Sequence, residues 1–172
     1  GFALVLALCL IGSAVAVLAL ARIERDTEAM LRDSVATERL ASDWHRLIKA
    51  GVLRTTAVAV SSDGSLAEFF AADTAESSRQ SAQLVGELEK RLTGVQERQL
   101  YEALGQRRQV YLKARDRIIQ ARRQGETELA RQLFKSEFKP ASEAYLDELG
   151  RLLSLQRQEI DQMAADLARL NQ

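Results

Sequence analysis

The chain has 172 residues with 24 basic and 24 acidic side chains, a zero balance that excludes a nucleic-acid binder working by phosphate neutralisation. One proline, 5% aromatic residues and an abundance of Leu, Ala, Arg, Glu and Gln are the composition of long packed helices, not of sheets. The single cysteine, Cys9, sits inside an apolar run, so no intrachain disulfide can form and thiol chemistry at a soluble site is excluded.

Residues 1–21 carry no charge, and from Phe2 to Ala21 the chain reads FALVLALCLIGSAVAVLALA. As a helix these residues span about 30 Å, the thickness of the bilayer's hydrocarbon core. They predict a transmembrane helix over 1–21. The rival is a secretory signal peptide ending near Ala19-Leu20-Ala21, but such apolar cores run only about 7 to 15 residues. A start at Gly1 in place of Met suggests a piece of a longer protein, with a second span expected beyond Gln172.

Four amphipathic stripes follow, predicting helices over 22–60, 65–92, 95–123 and 126–170. The first stripe is Thr37, Leu40, Trp44, Leu47, Gly51, Arg54 and Val58, the alternating three-four spacing of a bundle seam. Ser61-Ser62-Asp63-Gly64-Ser65 then supplies a turn. Phe70, Thr74, Ser77, Ser81, Leu84, Leu88, Arg91 and Val95 form the second stripe, and Leu104, Arg108, Tyr111, Arg115, Ile118 and Arg122 the third. Gly125 behind a basic last turn stops it. The fourth stripe is Leu146, Leu149, Leu153, Gln156, Ile160, Met163, Leu167 and Leu170, with Pro140 expected to bend its helix. Short connections make neighbouring helices antiparallel. The fold class is therefore all-α: an N-terminal transmembrane helix continuing into an antiparallel up-down-up-down four-helix bundle, 22–172.

Three seams turn polar at one level. Arg54 on the first helix, Thr74, Ser77 and Ser81 on the second, and Arg108, Tyr111 and Arg115 on the third all fall roughly 9 to 24 Å from the same end of the bundle at about 1.5 Å per residue. Burying unpaired polar groups costs about 2 to 7 kcal/mol each. Three guanidiniums in one layer repel unless an anion sits among them, and arginine's fork suits carboxylates. The pattern points to a small di- or tricarboxylate such as malate or citrate, with the hydroxyls holding its remaining oxygens. The rival readings pair these arginines with Glu137 or Glu143, or shift the register so that Arg107, Val110, Ala114 and Arg117 face inward. Arg122, one turn nearer the tip, is expected to matter far less for binding.

His45 is the sole histidine, too few ligands for a metal site. No Glu-x-x-His pair, P-loop, GxGxxG, CxxC or HExxH occurs; neither catalysis nor a cofactor is expected. Val35, Ile48 and Val52 lie outside the first seam and predict a homodimer packed helix 1 on helix 1.

The apolar first helix, the Trp44 region, Arg54-Thr55-Thr56 and the run RRQVYLKARDRIIQARRQGETELARQLF (Arg107 to Phe134) followed by Pro140 together resemble the four-helix-bundle sensory domain of bacterial methyl-accepting chemotaxis proteins. The resemblance implies a periplasmic, dimeric domain on the inner membrane that binds amino acids or organic acids and passes a small helix displacement across the bilayer. Members often carry an asparagine shortly before the helix 1 arginine; Gly51 and Val52 occupy that stretch here, so the ligand does not carry over. The sensor of a histidine kinase or cyclic-nucleotide enzyme, or a bundle that senses through a partner protein, uses the same architecture.

Overall fold

The computed structural model describes residues 2–170, with the side chains of residues 3–9 and 170 outside that description. All regular structure among the described residues is helical: α1 (Phe2–Val60), α2 (Leu66–Phe69), α3 (Ala71–Arg91), α4 (Val95–Arg123), α5 (Thr127–Leu133), a π-helical turn (Phe134–Phe138) and α6 (Lys139–Leu170). They form two compact units, Gly1–Ala36 with Gln156–Gln172, and Thr37–Leu155.

In the first unit the start of α1 meets the end of α6, where the Ser34 hydroxyl lies 4.0 Å from Met163 Sδ. Gln156 is fully buried and donates to Glu159. Among the described residues no helix is long and apolar enough to cross a membrane; the span read at 1–21 falls in part on residues 3–9, and the seam position Leu170 falls wholly, outside the described side chains.

The second unit is the four-helix bundle: the remainder of α1, α3, α4, and the run from α5 through α6. Its core follows the stripes. Trp44, Val58, Leu88, Leu104, Ile118, Leu149 and Leu153 are buried, because apolar side chains three and four apart share one helix face. Arg91 and Val95 of the second stripe are exposed, since the helix they were assigned to ends at Arg91. Ile48 and Val52 also depart from expectation. Ile48 is buried, and Val52 packs half-buried against the core, so neither forms the outward face expected to meet a second copy. An apolar stripe wider than the two seam positions is what a helix with neighbours on both sides requires.

Two predicted helices are interrupted. The second breaks at Phe70 (φ −91°, ψ 4°), which packs on the core while Phe69 stays in solvent. In the fourth, Lys139 N–H bonds the Phe134 carbonyl five residues back. Pro140 has no N–H to give Ser136, and its ring would crowd that carbonyl; the ladder widens into a π turn ahead of it.

At the turns, Asp63 accepts from the Ser65 amide and hydroxyl at 2.8 and 2.7 Å, which holds its carboxyl below the usual range. Gly125 adopts φ +77°, the left-handed conformation that ends α4 as its sequence predicts. The two turns are tied together by Arg122. It is 5% exposed and donates to the Asp63 carbonyl at 2.8 Å and to Thr127 Oγ1 at 2.9 Å, so this arginine ties the two turns together. Hydrogen bonds from a charged donor contribute about 1.5 to 3 kcal/mol each. Arg122→Ala should lower unfolding free energy by about 2 to 4 kcal/mol in urea titration, and Arg122→Lys should recover only part, because a point charge cannot span both acceptors.

Candidate ligand-binding site

The polar level of the three seams closes on a cavity of about 20 Å³. Arg54, Thr74, Ser77, Ser81, Arg108, Tyr111 and Arg115 all line it. Sequence reasoning missed Gly51 as a contact, and missed Thr55, Ser78, Leu47, Ile48 and Leu112 as lining. Gly51 is on the first stripe, and its meaning was visible only as a gap; Ser78 lies one residue off the second stripe and carried no periodic signal.

Two of the three arginines, Arg54 and Arg115, are placed by their helices and held by serines. Arg54 Nη2 donates to Ser77 Oγ at 2.6 Å, from α1 to α3. Arg115 Nη1 donates to Ser78 Oγ at 2.9 Å, from α4 to α3. Ser78 can accept because its own proton goes to the Thr74 carbonyl at 2.9 Å. Adjacent serines lie about 100° apart around a helix, which lets Ser77 face α1 while Ser78 faces α4. Two polar atoms of the cavity, Arg54 Nε and Ser81 Oγ, are buried without a hydrogen-bond partner, an arrangement that costs about 1 to 3 kcal/mol per neutral group.

The lining includes three arginines and no carboxylate. Arg115 meets Asp116 at 2.9 Å, but that carboxylate stands 64% exposed at the rim. Glu137 pairs with Arg117 on the outside of the bundle, not with the site arginines. The shifted register is also excluded: Arg107 and Val110 are exposed, and of that set only Ala114 is buried.

Tyr111 forms the inner wall. Its ring lies 5.4 Å from Phe138 and 5.4 Å from Tyr145, and Tyr145 meets Trp44 edge-on at 5.9 Å. Burial pushes the Tyr111 phenol up, while the Arg115 and Arg54 guanidiniums pull it back; burial raises Tyr145 as well. Both stay neutral donors at physiological pH.

Residues 1–169 match the family described as a four helix bundle sensory module for signal transduction. The chain belongs to that family. No curated protein matches it in sequence. The chain is thus a sensory module of the kind found in chemoreceptors, and modules of this family are typically periplasmic. His45 of the module is half-buried, and among the described residues no group of side chains could hold a metal ion.

A side chain cannot be added at Gly51 without displacing the tyrosine, since a Cβ there would stand 2.8 Å from Tyr111 Oη. Gly51→Ala should therefore cost about 1 to 3 kcal/mol by overpacking, read by urea titration, and change the near-ultraviolet dichroism of the aromatic group. Tyr111 and Tyr145, with Tyr101, whose phenol burial also pushes up, set an alkaline limit. Their folded pKa values lie above the unfolded value of about 10, so their contribution is complete below pH 10 and lost as pH rises through the folded values. Stability should be level to about pH 9 and fall above 10, less steeply in Tyr111→Phe relative to its own plateau.

Proposed function

We propose that the chain is the membrane-anchored, extracytoplasmic input module of a chemoreceptor that senses a small carboxylate, a C4 dicarboxylate or C6 tricarboxylate such as malate or citrate. The observation that carries this reading is the cavity itself, where Arg54, Arg108 and Arg115 meet serine and tyrosine hydroxyls with no internal carboxylate. An anion would supply the missing charge and the acceptors that Arg54 Nε and Ser81 lack.

Anchoring is supported by the uncharged run of residues 1–21 and by Leu10, Ile11, Val15, Val17, Leu18 and Leu20, each at least 60% exposed, a face suited to lipid. Signalling by helix displacement is supported by Tyr111, which touches the ligand cavity on one side and Phe138 and Tyr145 of the last helical run on the other. A homodimer through helix 1 would use Leu53, 71% exposed, in place of Ile48.

Titration of the wild type, Arg54→Ala, Arg115→Ala and Arg117→Ala with malate and citrate tests the reading. Loss of Arg54 or Arg115 should weaken binding by about 2 to 5 kcal/mol, the scale for removing one partner of a buried charge pair. Arg117→Ala, on the outer face, should bind as the wild type does. Equal affinities across the set, or no binding of either acid to the wild type, would sink the carboxylate reading.

A further inference from the structure

The inner cavity has room for about one water molecule, too little for a whole dicarboxylate. Against it lies a groove of about 430 Å³ between α3 and α4, with Ala67, Ala71 and Ile119 among its lining and exposed Ala75 at its edge. Cavity and groove share Thr74, Ser78 and Arg115. The hydrogen bond from Arg115 to Ser78, 2.9 Å long, is therefore the wall shared by a small, more enclosed inner chamber and a more open groove. Arg115 is 15% exposed and its other face meets solvent-facing Asp116, so it borders both sides.

We propose that the acid site is bipartite and filled through this groove: one carboxylate sets an oxygen past the Arg115–Ser78 wall, where it accepts from Arg54 and Ser81, while the second stays on Arg115 in the groove in place of Asp116. This rests on the carboxylate reading above and adds where the ligand lies and how it arrives. Arg54 of α1 and Arg115 of α4 are held by adjacent residues of α3, Ser77 and Ser78, so a two-ended acid can meet one guanidinium with each carboxylate. Ala75 stands exposed at the groove mouth, so a larger side chain there blocks the way in without entering the core. A monocarboxylate can use one half only, which makes the second charge the determinant of specificity.

Access can be measured without a ligand. With Ser81→Cys in a Cys9→Ser background, the rate of modification by anionic 2-sulfonatoethyl methanethiosulfonate reports passage to the inner chamber. Adding Ala75→Trp should slow it at least tenfold, Ser78→Ala should speed it several-fold, and Gln83→Trp, in the other groove, lined by Asp43, Gln80 and Leu84 and sharing only Leu47 with the cavity, should leave it unchanged. Should Ser81→Cys fail to fold, as judged by circular dichroism, Ser77→Cys takes its place. Equal rates in Ala75→Trp and its parent, or slowing by Gln83→Trp alone, would overturn the route. In the cysteine-free Cys9→Ser protein, succinate should bind at least tenfold more tightly than acetate, and Ala75→Trp should weaken succinate at least tenfold. Succinate affinity unchanged by Ala75→Trp, or equal to that of acetate, overturns the bipartite site while the arginine requirement stands. Absence of binding by succinate, malate and citrate removes the carboxylate reading, and the bipartite site with it, but not the measured route.

Discussion

Guanidinium groups packed among serines, with no carboxylate inside, set the terms for the rest of the bundle. Arg54 and Arg115 each spend a donor on a neutral hydroxyl, a weaker bond than the ion pair a guanidinium forms with a carboxylate. Arg54 keeps one donor unmatched. A protein selected for stability alone would fill this level with leucine, as it does one and two turns away at Leu88, Leu104 and Ile118. The polar level is held in place by those apolar layers on either side of it, and by the three-residue turns that fix how far α3 and α4 can slide.

The inner wall of the site is also the point where the fold concentrates its aromatic residues. Tyr111, Phe138, Tyr145 and Trp44 make a contiguous group across α4, the π turn, α6 and α1. Aromatic rings pack with defined offsets and tilts, so the tyrosine that faces the cavity is positioned from behind by the last helix. Pro140 contributes to this indirectly. By withholding an N–H it places the π turn at Phe134–Phe138, and one residue of helical phase is absorbed there before Phe138 and Tyr145 both turn inward.

The two classes of arginine in α4 show how context decides the role of one side chain. Arg108, Arg115 and Arg122 occupy the same stripe. The first two line the polar cavity. Arg122 meets a backbone carbonyl and a threonine at the end of the bundle, and there the fork that suits a carboxylate serves to tie two turns together. Arg117, off the stripe, pairs with Glu137 at the surface, where such a pair contributes at most about 1 kcal/mol.

Periodicity made most of the fold legible in the sequence. Seam spacing named Trp44, Leu88, Leu104, Ile118 and Leu149 as core, Gly125 as a helix stop, and brought seven polar residues to one level, because a helix has one repeat and inward positions follow from it. The gaps share a cause. Ile48 reads as an outward apolar residue until the neighbour that covers it is present, Arg122 reads as one more seam arginine until the Asp63 carbonyl is brought back across the chain, and Ser78 carries no signal until Arg115 reaches it from another helix. The chemistry of the site, arginines and hydroxyls without an acid, was determined by the sequence. The size of the cavity, the serines that hold Arg54 and Arg115 and the groove beyond Arg115 depend on distances between helices, which no single helix's repeat encodes and only tertiary packing decides.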